Sequence, residues 1–151
     1  MIDVVIATFQ RPEGLRRCLA GLSRQSETDF RVVVVDDSSP EPVSERLQPK
    51  EYPFDLTVLR TVKNSGPAHA RNLAAKRSDA EFIAFIDDDV VPADDLLARH
   101  RKAHVTNGPQ SVVIGPLVAP PDWRPTPWNR WEAETIAVEY QRMQRGDYKA
   151  T

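Results

Sequence analysis

Glu81-Phe82-Ile83-Ala84-Phe85-Ile86-Asp87-Asp88-Asp89 runs from an apolar block straight into three consecutive carboxylates. Phe82 to Ile86 is short and rich in β-branched and aromatic residues, which predicts a strand buried on both faces. Three carboxylates at its tip repel one another in an apolar setting, so the tip belongs in water or against a cation. In open α/β sheets, ligands sit just beyond the carboxyl ends of the strands. The stretch therefore points to a sheet whose polar rim holds a divalent ion and a phosphorylated ligand.

Working outward, the same grammar repeats. Val4 to Ala7 predicts a first buried strand that turns out through Thr8-Phe9-Gln10-Arg11-Pro12, and Pro12 suits the first turn of a helix. Leu15, Cys18, Leu19 and Leu22 then share one helical face. Val32 to Val35 is a second strand, ending in Asp36-Asp37-Ser38-Ser39-Pro40. A short helix is expected over 41–47, broken by Pro49 to Pro53, and a third strand over 56–62. Asn64-Ser65-Gly66-Pro67 is a turn leading into a helix that packs through Ala70, Leu73 and Ala74. After the acidic triad, Pro92-Ala93-Asp94-Asp95 opens a helix with Leu96, Leu97, His100 and His104 on its inner face, and Val112 to Ile114 reads as a fifth strand.

Strands alternating with helices predict an α/β, Rossmann-like fold with a mainly parallel sheet and helices on both faces. Residues 1–115 form this core. Residues 116–151 read as a Pro/Trp-rich extension, either part of the same domain or of an incomplete acceptor region. It holds Trp123, Trp128 and Trp131, with a final helix from about Asn129 and Glu132 in capping-box spacing. An exposed Trp-rich edge there would favour self-association into a homo-oligomer.

Bulk properties exclude several classes. At 151 residues with 40% apolar and 28% charged residues, the chain suits one ordinary globular domain. A net charge of −2 argues against a general nucleic-acid binder. One cysteine, Cys18, forms no internal disulfide framework. No leader pattern and no apolar run of membrane-spanning length is visible. A cytoplasmic protein is expected, with peripheral attachment at the inner membrane face as a variant of that expectation.

Several side chains cluster on the predicted rim. On an extended tip, Asp87 and Asp89 converge while Asp88 points away. Two such carboxylates suit Mg²⁺ or Mn²⁺, hard cations that complete their shells with water or phosphate oxygens. The plainer alternative is a solvated, helix-capping loop. Asp36 and Asp37 can accept hydrogen bonds from a nucleobase or ribose, or can cap the following turn. Phe9 can stack on a base or pack under a loop. Gly66 allows close backbone approach at a helix N-terminus that favours anions, and Arg71 can pair with a phosphate or with the acidic rim. His100 and His104 have i, i+4 spacing but lack the glutamate of a zinc hydrolase helix, so they read as core histidines.

Taken together, the segments from Val4 to Pro12 and from Val33 to Ser39, Asn64-Ser65-Gly66 with Ala70-Arg71-Asn72, and the run from Phe85 to Asp89 resemble family 2 glycosyltransferases of the GT-A fold. The four motifs lie in the family's order and spacing across residues 2–115. Gln10 stands where the family often has Asn. The resemblance implies a nucleotide-diphosphate sugar donor, UDP-sugar foremost, with Thr8, Phe9, Asp36 and Asp37 along the nucleoside. Gly66, Arg71, Asp87 and Asp88 complete the set of donor-binding positions. Asp87 and Asp89 match the family's DxD motif and hold Mn²⁺ or Mg²⁺, with Asp89 in direct metal contact. It implies transfer with inversion to the hydroxyl of a glycan, lipid or small-molecule acceptor, aided by a carboxylate base. No base motif is recognisable: neither Glu132 nor Glu134, beside the last of the tryptophans, sits in one. Two alternatives stand beside it, a nucleotide-sugar-binding module without catalysis and a sugar-phosphate nucleotidyltransferase. The latter wants a glycine-rich loop after the first strand, where Ala7-Thr8-Phe9-Gln10-Arg11 has no glycine.

Overall fold

The computed structural model describes residues 1–108, 110–119 and 124–147. Trp123, with Pro120 and Pro121, lies outside the described residues. The chain divides into two units, Met1–Ser111 and Val112–Thr151.

The first unit is a four-stranded sheet in the order β3-β2-β1-β4. Its strands are β1 (Ile2–Thr8), β2 (Phe30–Asp36), β3 (Asp55–Arg60) and β4 (Phe82–Phe85), all in parallel pairs. Parallel pairing demands crossovers, and α1 (Pro12–Leu22) and α2 (Pro67–Ala75) supply two of them. Because strand side chains alternate, β1 sends Ile2, Val4 and Ile6 to one face and Val5 and Ala7 to the other. On the first face they meet Leu15, Cys18, Leu19 and Leu22 of α1 and Leu97 of α3 (Leu96–Asn107). On the second they meet Ala70 and Ala74 of α2, whose small side chains let that helix sit close. The predicted parallel, two-sided α/β sheet is therefore what forms.

Three local expectations are corrected. β4 is not buried on both faces: it is the sheet edge, its first three residues are half-buried, and Phe85 is 53% exposed. Residues 41–47 hold only a 3-10 turn, Val43–Glu45, because prolines at 40, 42 and 49 leave too little uninterrupted chain for an α-helix. Val112 to Ile114 form no strand. An apolar run becomes a strand only with a neighbour to pair with, and Val112 is 86% exposed.

The opposite end of the sheet is tied by charge. Asp3, almost fully buried, accepts from Arg31 Nε at 2.7 Å and Nη2 at 3.0 Å, and from Ser78 Oγ at 2.6 Å. This joins β1, β2 and the exit of α2. His104 stacks on Phe82 with ring centroids 4.7 Å apart, and its Nδ1 lies 3.1 Å from Ser111 Oγ, as a packed core histidine would.

In the second unit, α4 runs Pro127–Gln144. Its N-cap is Thr126, whose hydroxyl accepts from the Asn129 N–H at 3.3 Å, three residues before the start expected at Asn129. Trp128 and Trp131 pack on each other at 5.0 Å and are both exposed. Among the described residues no helix is long and apolar enough to cross a membrane.

Candidate functional site

Parallel strands bring their carboxyl ends to one rim. Register places Thr8 beside Asp36 and Asp36 beside Arg60, while β4, on the other side of β1, delivers the acidic triad. A cleft of about 430 Å³ opens there. Among the residues lining it are Thr8, Phe9, Asp37, Gly66 and Arg71, with Asp87, Asp88 and Asp89. Asp36 does not line it. Arg11, Asn64 and Pro67 do, and the sequence reading gave none of them a site role.

The triad does not stay extended. The Val90 N–H donates to the Asp87 carbonyl at 3.2 Å and folds 87–90 into a turn. Asp88 points inward, 5% exposed, and accepts from Thr8 Oγ1 at 2.7 Å. Asp87 and Asp89 stay open, at 58% and 54% side-chain exposure. Arg71 of α2 pairs with Asp87, so the arginine expected to meet either a phosphate or the acidic rim meets the rim here. Arg11, at the head of α1, donates through Nη1 to Asp89 at 2.8 Å and reaches Asp88 at 3.3 Å.

The acids that end β2 have separate tasks. Asp37 is 3% exposed and accepts from Thr61 Oγ1 at 2.8 Å, from the Gly66 N–H at 2.7 Å and from the Ser65 N–H at 3.1 Å. It fixes the 64–66 loop against the rim. Gly66 can end that loop because its φ of +87° suits glycine, and α2 begins at the next residue with no side chain capping its N-terminus. Asp36 is 1% exposed and accepts from the Ser39 N–H at 2.8 Å, the Val43 N–H at 3.2 Å and Arg60. Burial pushes its carboxyl up, but the bonds from Ser39 and Val43 and the charge of Arg60 outweigh that and hold it below the ordinary carboxylate value.

Beneath the triad, burial pushes the Cys18 thiol up to about 12, with the charges of Asp88, Asp89 and Asp87 adding to the effect. This cysteine is packing, not a nucleophile. Gln10 and Ser38 both hold positive φ, 56° and 65°, in the loops leaving β1 and β2. The Gln10 N–H donates to Ser39 Oγ at 3.0 Å and ties the two loops together.

The donor set fits a hard divalent ion. Asp87 and Asp89 present accessible carboxylate oxygens on one turn, at a cleft of about 430 Å³. Among the described residues no group of three or more His, Cys, Asp or Glu side chains could cage a metal. An ion here would share its shell with ligand oxygens, as Mg²⁺ habitually does with phosphates.

The family model described as Glycosyl transferase family 2 matches residues 3–150. The succinoglycan biosynthesis protein ExoW of Rhizobium meliloti (strain 1021) is 41% identical over 102 residues, covering 64% of this chain and 32% of ExoW. Solved structures also resemble the fold, among them two holding nucleotide ligands. S. aureus TarS 1–349 in complex with UDP has a TM-score of 0.64 at 28% identity, over 70% of this chain and 32% of that one. The mannosyltransferase PcManGT from Pyrobaculum calidifontis, in complex with GDP-Man and Mn²⁺, has a TM-score of 0.62 at 27% identity, over 68% of this chain and 32% of that one. The chain spans between 13% and 39% of the length of the curated relatives it matches.

Proposed function

The chain belongs to glycosyl transferase family 2, and from that premise we propose that its cleft binds a nucleoside-diphosphate sugar, a UDP-sugar first, for metal-dependent transfer to an acceptor hydroxyl with inversion. One observation carries this reading: four carboxylates, two arginines and an uncapped helix N-terminus converge on one cleft beyond the strand ends. That combination suits a ligand bearing both a diphosphate and a divalent cation. Solved structures of similar chains with UDP and with GDP-Man and Mn²⁺ support it.

In this reading Phe9, 38% exposed, offers its ring to the base. Thr8 and Asp37 shape the nucleoside end, and Asp36 braces the loop behind them. Gly66, the first turn of α2 and Arg71 face the diphosphate. Asp87 and Asp89 would hold Mn²⁺ or Mg²⁺, with Asp89 as the direct contact. Asp88 anchors the turn through Thr8. When bound, the ion supplies positive charge to the departing nucleoside diphosphate. The acceptor, a glycan, lipid or small molecule, attacks from the face opposite the leaving group, aided by a carboxylate base.

A second reading, a nucleotide-sugar-binding module without transfer, is favoured by one observation. Every carboxylate lining the cleft already has a protein partner: Asp37 the 64–66 loop, Asp87 Arg71, Asp88 Thr8, and Asp89 Arg11. None is placed as a free base. Calorimetry with UDP, UDP-GlcNAc and GDP-Man, with Mn²⁺ and then with chelator, tests the cleft. Saturable binding that chelation weakens is expected, and Asp89→Ala should lose the metal-dependent part. No binding of any of the three would sink the proposal. Donor hydrolysis or transfer measured on the same samples separates enzyme from module.

A further inference from the structure

Arg11 is the last residue before α1, and both contacts of its guanidinium are to the acidic turn, at 2.8 Å from Asp89 and 3.3 Å from Asp88. It differs from Arg71, which approaches the turn from α2 and meets only Asp87, the carboxylate at the other end. Arg11 is 59% exposed, and among the described residues those two contacts are the hydrogen bonds its side chain makes. It also lines a second cavity, about 340 Å³, beside Pro12, Leu15 and Val43. The exposed side chain thus borders open space beyond the acidic turn as well as at it.

We propose that Arg11 is a built-in counter-cation that occupies Asp88 and Asp89 until a divalent ion takes Asp89, and that it thereby makes metal binding depend on nucleotide binding. The inference rests on the reading of the cleft as a nucleoside-diphosphate site. A carboxylate paired with a guanidinium is a weaker ligand, because the incoming ion must break the pair. The displaced guanidinium then stands within a few ångströms of a doubly charged cation and is repelled by it. That repulsion is relieved when an anion arrives for Arg11 to bind, and a diphosphate in the cleft is such an anion. By linkage, metal and nucleotide then strengthen each other by the same factor.

Binding of Mn²⁺ alone, followed by the free-ion paramagnetic resonance signal, tests this on the whole chain as wild type, Arg11→Gln and Arg11→Lys, each with and without UDP. With the competing charge gone, Arg11→Gln should bind Mn²⁺ alone about fivefold more tightly than wild type. UDP should tighten Mn²⁺ binding less in that variant than in wild type. Arg11→Lys, which keeps the charge, should retain the wild-type pattern. A merely structural arginine would weaken both ligands when removed. Mn²⁺ binding unchanged or weaker in Arg11→Gln with a wild-type melting temperature would overturn the proposal. Arg11→Met provides a second neutral variant should Arg11→Gln melt early. Failure of wild type to bind UDP in the presence of Mn²⁺ would instead overturn the reading of the cleft, so the two failures are distinct.

Discussion

A Cβ on Gly14 would stand 3.0 Å from the carbonyl oxygen of Asp88. The helix α1 thus lies directly against the backbone of the acidic turn, and the missing side chain sets how deep the turn sits. Gly21, two helical turns on, makes the same allowance at Pro92, whose ring Cδ would be 2.7 Å away. In Gly14→Ala, helix propensity gains about 1 kcal/mol. The new methyl, however, presses on a peptide carbonyl that cannot rotate aside. The melting temperature should stay within a few degrees of wild type while affinity for UDP with Mn²⁺ falls about fivefold, because Asp88 and Asp89 move with their backbone. Calorimetry returning wild-type affinity for a folded Gly14→Ala would show that the helix does not position the turn.

How much of this was legible in the chain depends on how local each signal is. β1 and β2 are central strands, and their runs of Val and Ile, the half-buried Val33 apart, are buried on both faces as such runs predict. Phe82 to Phe85 carries the same local signal, yet it lies at the sheet edge, a matter of what pairs beside it. Val112 to Ile114 fails for the same reason. The acidic tips were readable because carboxylates after apolar runs are unusual. Their partners were not: Thr61 and Ser65 lie 24 and 28 residues from Asp37, and Arg11 lies 77 and 78 residues from the two carboxylates it meets. Contact at that separation is set by topology, and no spacing rule within one segment reports it. The one local hint at Arg11 was its place on the same rim as Thr8, just ahead of Pro12.

Gln10 holds φ at 56°, a left-handed conformation that costs a residue with a long side chain about 1–2 kcal/mol and costs Asn less. The Gln10 bond to Ser39 uses its backbone N–H, which any replacement except proline keeps. Gln10→Asn should therefore raise the melting temperature by a few degrees with UDP affinity unchanged. A lower melting temperature would mean that the Gln10 side chain contributes packing worth more than the strain it imposes.

Asp37 holds the 64–66 loop through both of its oxygens, so Asp37→Asn tests positioning without removing volume. One oxygen becomes an NH₂ that faces backbone N–H donors, and a buried unsatisfied group costs about 1–3 kcal/mol. The expected result is a lower urea midpoint together with weaker UDP binding, both with Mn²⁺ and without it. A loss confined to the Mn²⁺-dependent part would place Asp37 among the metal's determinants and contradict its assignment to the loop.

Two buried carboxylates contribute to the acid limb of stability, and the more exposed Glu27, Asp29 and Asp79 are lowered in the same direction. For both Asp3 and Asp36 burial alone pushes the carboxyl up. At Asp3 the bonds from Arg31 and Ser78 outweigh it, at Asp36 those from Ser39 and Val43 with the charge of Arg60, and both are held below the ordinary carboxylate value. A group whose folded value is lowered binds its proton more readily when unfolded. Its stabilisation is fully present above the unfolded value, about 3.9, and is lost as pH falls through the lower folded one. Urea midpoints should therefore be flat near neutrality and fall steeply below about pH 4. Asp3→Asn removes one of these protonations. It should be less stable at pH 7 by about 1–3 kcal/mol, discounted from a fully buried pair because Arg31 is 33% exposed. Its midpoint should also decline more gently into acid than that of wild type. Parallel pH curves for the two proteins would mean that Asp3 has the same proton affinity folded and unfolded, and that the Arg31–Asp3–Ser78 junction holds the sheet by geometry alone.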